Sequence, residues 1–292
     1  IEKDGFHHVE GCSGDQDVKL QTTLEPTTSL TGRMVHVTVS LTDREADFYI
    51  DRYETTNRQF KRFVDAGGYA KKDYWKEPFL DDGKPLSWEA AISRFVDSTG
   101  KPGPSTWKDG TYPAAEDDYP VRGVSWYEAA AYAEFLGLSL PTMHDWQLAS
   151  GARYSARVTV ESNCENDHVA KVGAYQGVGP FGTYDMAGNV KEWCWNKGVG
   201  GQRYILGGAW YEPEYMFTCR DVRPPMDRSD SNGFRCLRYV RQPTEQLLAD
   251  VLATYRDYMR EKPVSDTEFA SIKSRYAYDA APLNAAVTQS NP

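Results

Sequence analysis

Residues 182–193, Gly-Thr-Tyr-Asp-Met-Ala-Gly-Asn-Val-Lys-Glu-Trp, place two carboxylates, Asp185 and Glu192, seven residues apart with a Gly-Asn turn between them. A loop of this kind can wrap a hard cation with the side-chain oxygens of Asp185 and Glu192 and backbone carbonyls near Gly188 and Val190, because calcium accepts about six to eight oxygen ligands in flexible geometry. An ordinary acidic turn has the same spacing. A second concentration of reactive types is Trp210, Tyr211, Glu212, Glu214 and Tyr215, followed by Arg220, Arg223, Asp227 and Arg228. Aromatic rings beside carboxylates and guanidinium groups suit a peptide or a small polar ligand. Within that stretch Glu212, Tyr211, Tyr215 and Arg223 are the candidates for catalysis, with Glu212 as a proton-transfer group. The bland alternative is a solvated loop laced with salt bridges. Arg235, in Gly-Phe-Arg, is expected to pair with an internal carboxylate.

The other metal-ligating types do not converge. His7, His8, His36, His144 and His168 show no HxxxH spacing, and Cys12, Cys164, Cys194, Cys219 and Cys236 form no CxxC pair. Each cysteine reads first as a small buried apolar residue.

The elements that must position these groups follow from local patterns. The alternation of Met34 to Val39 predicts a strand, as does Phe48-Tyr49-Ile50. Thr56-Asn57-Arg58-Gln59 and Ser125-Trp126-Tyr127-Glu128 are capping boxes, and Thr142-Met143-His144-Asp145 opens a third helix. Residues 69–120, rich in Trp, Tyr, Pro and Gly, are expected to wrap a core or form a binding surface, with only 87–96 helical. From 151 to 241 turns and short strands prevail. Thr244 is expected to cap a long amphipathic helix carrying Leu247, Leu248, Val251, Leu252, Tyr255 and Met259, and Ser265 caps one further helix.

The chain has 292 residues, 40% hydrophobic and 26% charged, enough for one sizeable domain with extensions. Thirty-three Lys plus Arg against 42 Asp plus Glu give a net charge of -9, which argues against a nucleic-acid or anionic-membrane surface. No apolar run is long enough to insert into a membrane. The opening Ile1-Glu2-Lys3-Asp4 reads as an excised piece or a processed product. Cysteine usage points toward a reduced cytosol, with a processed secreted or periplasmic form as the alternative.

GTYDMAGNVKEW resembles the signature of the formylglycine-generating enzyme (sulfatase-modifying factor) family. The matching blocks stand in order: FYIDRYETTNRQF at 48–60, PVRGVSWYEAAAYAEFLGLSLPTMHDWQLAS at 120–150, ILGGAW at 205–210 and NGFRC at 232–236. The resemblance implies an α+β fold related to C-type lectins, with little regular secondary structure. It divides the chain into an extension over 1–30, the family domain over 31–241, and a helical extension or linker over 242–292. It also implies a structural calcium on Asp185, Gly188, Val190 and Glu192, and a second calcium site beginning at Asn163 and Cys164.

The family's catalysis does not carry over. Members that generate formylglycine hold copper on two cysteines five residues apart, because soft thiolates select Cu(I). Counted from Gly207-Gly208-Ala209, those positions are Glu212 and one near Phe217, and the family serine is Ala209. No copper is therefore expected. The expected function is a non-catalytic ligand-binding or sensory module with structural calcium, partnered by a peptide or small polar ligand and by other domains of a larger protein, as in kinase-containing bacterial relatives. The alternative is an enzyme of different chemistry, an oxidoreductase or peptide-tailoring enzyme using Glu212.

Overall fold

A computed structural model describes residues 33–41, 44–152, 156–252, 264–275 and 277. The chain divides into two compact units, 1–252 and 253–292. In the first unit, β1 (Met34–Leu41) and β2 (Arg44–Asp51) pair antiparallel, and β9 (Leu237–Tyr239) joins the free side of β2. A second sheet has the order β7 (Asp221–Arg223), β6 (Arg203–Leu206), β5 (Lys191–Lys197), β8 (Asn232–Gly233), with β5 and β8 parallel. A small hairpin, β3 (Leu80–Asp81) with β4 (Lys84–Pro85), completes the strands named among the described residues.

The helices begin where the sequence places their caps. α1 (Asn57–Asp65) and α3 (Trp126–Phe135) carry complete capping boxes on Thr56 and Ser125, and α4 (Met143–Ser150) carries one on Thr142 with Asp145. α2 (Trp88–Ile92) stops short of the expected residue 96. The carbonyls of Arg94 and Val96 accept from the Arg228 guanidinium, and that tertiary bond replaces further helical turns. α5 (Ala156–Val160) is a single short helix.

The long amphipathic helix expected from Thr244 is only α6 (Glu245–Leu248). Ala249 leaves the helix at ψ 160, because the Asn196 amide donates to the carbonyls of Leu247 and Ala249 and the Val251 amide donates to Lys197 O. Residues 244–252 thus pack against the end of β5 within the first unit; Tyr255 and Met259 lie outside the described residues. In the second unit α7 (Asp266–Arg275) starts at the Ser265 cap as expected.

Two large apolar clusters, beside a small one of Val190, Ala209 and Trp210, underlie these elements among the described residues. One gathers Phe60, Phe63, Trp75, Trp107, Tyr132 and Phe234 and includes much of the segment 69–120, so the wrapping expectation holds. Within it Trp107 Nε1 donates to Asn57 Oδ1 at 3.0 Å, which fastens the wrap to α1. The other places Val37, Phe48 and Ile50 of the first sheet against Trp146, Met186 and Leu206.

Candidate functional site

The Asp185–Glu192 loop is built from residues that only a special backbone can hold. Asp185, Gly188 and Asn189 all have left-handed φ, 58°, 73° and 54°. At Gly188 a side chain is excluded: a Cβ would lie 2.1 Å from Asn163 O. The close approach lets the Asn189 amide donate to Asn163 O at 2.9 Å and the Gly188 amide to Gly207 O at 2.9 Å, so three chain segments meet at one turn.

Three buried carboxylates converge here. Glu192 is fully buried and accepts from Arg235 twice, Nε to Oε2 at 2.7 Å and Nη2 to Oε1 at 2.6 Å; Trp146 Nε1 adds a bond to Oε2 at 2.8 Å. Arg235 spends its remaining donors on the carbonyls of Asp51, Arg52 and Tyr184. The internal carboxylate expected for Arg235 is therefore Glu192. Asp185 Oδ2 accepts the Gly173 amide at 2.6 Å. Glu54, a residue of the first family block that was not singled out in the sequence, accepts Val190 N at 3.0 Å and Asn189 Nδ2 at 2.6 Å. Burial, with the charge of Glu192 adding, pushes Asp185 up to about 7, opposed by the Gly173 amide and Arg235. Burial and the neighbouring Asp185 and Glu192 push Glu54 well above the usual carboxylate range.

This arrangement does not fit the calcium cage implied by the resemblance. The Glu192 carboxylate offers roughly four acceptor directions, three of which are taken, and a guanidinium sits against it. The Asn163 side chain, expected to begin a second calcium site, is spent on Asn189 Oδ1, His168 O and Asn166. His7, His8 and Cys12 lie outside the described residues.

A separate site forms one residue earlier on β5. Lys191 Nζ lies 2.8 Å from Glu212 Oε1 and 2.6 Å from Asp221 Oδ2, with its side chain only 2% exposed. Burial alone would lower the lysine, but the bonds and charges of Asp221 and Glu212 outweigh it and hold the ammonium above its usual range. Glu212 Oε2 accepts the Ala209 amide at 3.0 Å, and the Glu165 and Asn166 amides donate to the Glu212 and Trp210 carbonyls.

Next to Glu212 in sequence two tyrosines are exposed, whereas Trp210, expected as a ligand contact, is buried. Trp210 is packed, with the Arg122 guanidinium 5.6 Å from its ring, while Tyr211 and Tyr215 are 52% and 67% exposed. Tyr211 meets Trp210 edge-on at 5.1 Å. Glu214 and Arg220 are exposed nearby in sequence, and Arg223 reaches Asp221 at 3.5 Å.

Two expected ligand contacts are structural instead. Arg228 clamps the buried Glu128 with two bonds of 2.9 and 3.0 Å and caps the carbonyls of Arg94, Val96 and Gly103, so its donors face inward. Asp227 accepts the Ser229 amide and hydroxyl and builds its own turn. The sequence signal for both was charge alone, which does not report direction. A cavity of about 170 Å³ beside α3, lined among others by Tyr74, Tyr127 and Trp195, contains none of the expected site residues.

Cys164, Cys194, Cys219 and Cys236 are free thiols. Burial, then Glu214, Glu165 and Glu212, push the Cys164 thiol up to about 11, so it is a poor nucleophile at neutral pH.

The chain is similar to several known proteins. The chain is 28% identical over 222 residues to the serine/threonine-protein kinase pkn1 of Chlamydia pneumoniae, a match covering 66% of this chain and 33% of that protein, so it spans about a third of the length of that relative. It is 28% identical over 253 residues to a formylglycine-generating enzyme of Thermomonospora curvata, covering 67% of this chain and 83% of the enzyme. The solved structure of CarF superposes with a TM-score of 0.48 and 20% identity, over 71% of this chain and 93% of that one. Residues 38–240 match the model of the sulfatase-modifying factor enzyme 1-like domain, and the chain belongs to that family.

Proposed function

We propose that this chain is a non-catalytic binding module of the sulfatase-modifying factor family, presenting Tyr211 and Tyr215 to a peptide or small polar ligand. The observation that carries the reading is the state of Glu212. At the position that the family resemblance assigns to the first copper cysteine stands a carboxylate whose two oxygens hold one partner each, Lys191 and the Ala209 amide. A general base needs an oxygen within reach of the proton it takes; here one acceptor direction on each oxygen is already used to hold the loop. Exposed tyrosines are instead what binding surfaces use, since such rings contribute area with little loss of side-chain freedom.

The test has two arms. A random-sequence peptide array, with hits confirmed by calorimetry, should yield micromolar binders, and the double variant Tyr211→Ala/Tyr215→Ala should weaken them by about tenfold or more. In the second arm a cysteine-bearing sulfatase peptide is incubated with the protein, copper and oxygen, and its mass is followed. Conversion of that cysteine to an aldehyde, or turnover that Glu212→Gln abolishes, overturns the proposal in favour of an enzyme.

A further inference from the structure

The 182–192 loop has the shape that the family resemblance assigns to a calcium ion, yet its side chains are engaged otherwise. All five N–H directions of Arg235 are used: two on Glu192, two on the adjacent carbonyls of Asp51 and Arg52, and one on Tyr184 O. The segments so joined are the end of β2, the loop before Asp185, and β5. A structural calcium in this place would join the loop to β5 through the same Glu192. Arg235 and Glu192 are both fully buried, which a charged pair tolerates only when well hydrogen-bonded; here every Arg235 donor and three of about four Glu192 acceptor directions are used. The other acidic groups are also answered from within: Glu54 by Val190 N and the Asn189 amide, Asp185 Oδ2 by Gly173 N.

We propose that the Arg235 guanidinium is the structural cation of this loop, and that the domain holds its fold without a divalent metal at Asp185, Gly188, Val190 and Glu192. A planar, permanently charged fork suits the task, because it matches a carboxylate on one side and still has donors for three carbonyls on the other. Lysine, with a single ammonium centre, cannot reach all four partners.

The purified chain is measured for calcium by mass spectrometry, and its melting temperature is recorded in chelator and in millimolar calcium chloride. The expected result is well under one calcium per chain and a melting temperature that moves by less than about 1 °C across the series. Arg235→Lys should lower the midpoint by about 10 °C, with no recovery on adding calcium. Stoichiometric calcium together with a large loss in chelator overturns the proposal, and so does an Arg235→Lys protein that melts with the parent. Should Arg235→Lys fail to fold, the chelator series on the parent decides alone. Binding of peptides by Tyr211 and Tyr215 plays no part in this readout, so the two proposals stand or fall separately.

Discussion

Lys191 and Glu192 are neighbours on β5, and the strand pleat sends their side chains to opposite sides. Each makes a buried ion pair, but the two pairs are built differently. Glu192 meets a bidentate guanidinium in a place closed to water, with Trp146 on the same carboxylate. Lys191 meets two separate carboxylates that remain 16% and 26% exposed. A fully enclosed pair has no alternative solvation, so removing one partner strands a charge. A pair open on one side lets the survivors turn to water. The first arrangement suits a permanent tie in the fold; the second suits the base of a surface that adapts to a ligand.

The comparison can be broken most decisively at the closed side. Glu192→Ala should cost about 3–5 kcal/mol, measured by denaturant unfolding, since Arg235 loses its counter-charge in a dry site. Gly188→Ala follows at about 2–4 kcal/mol, because the substitution demands both a left-handed backbone and space already filled by Asn163 O. Lys191→Met should cost less, about 1–2 kcal/mol, while loosening Trp210 and Tyr211 enough to weaken peptide binding. Equal costs for Glu192→Ala and Lys191→Met would erase the distinction. Tyr215→Ala should change stability by no more than about 0.5 kcal/mol.

Acidity offers an independent check. The Asp185 carboxyl is harder to ionise in the folded chain, with a value of about 7, than in the unfolded one. The folded state therefore holds the extra proton, and this group's contribution is fully present below about pH 4 and is lost as the pH rises through 7. Asp185→Asn should flatten that part of a stability-versus-pH curve; a curve with unchanged slope would contradict the assignment.

Local chemistry made much of the fold legible. The caps on Thr56, Ser125, Thr142 and Ser265 are short-range codes, and each starts a helix where expected. The ordered family blocks placed the α+β class. Helix ends were less legible, because α2 and α6 stop where distant side chains, Arg228 and Asn196, claim the backbone carbonyls. At the site, the pairing of Arg235 was foreseeable but its partner, 43 residues earlier, was not. Glu54 lies 136 residues from the amide it accepts, and nothing in its own segment marks it as part of the loop. Arg228 and Asp227 looked like ligand contacts because composition records charge and not orientation.

The order in which these partners appear has a consequence for synthesis. β9, which completes the sheet begun by β1 and β2, and Arg235 beside it are translated after nearly every segment they hold together. While a ribosome is still adding residues 193–234, Glu192 and the carbonyls of Asp51, Arg52 and Tyr184 have no guanidinium to meet, and β2 has one unpaired edge. A nascent chain in that state exposes the strand edge and core surface that invite misassembly. Release of the Gly-Phe-Arg segment from the ribosome is therefore the step that lets the domain lock, and a stalled or truncated product ending before it is the form most exposed to aggregation and proteolysis.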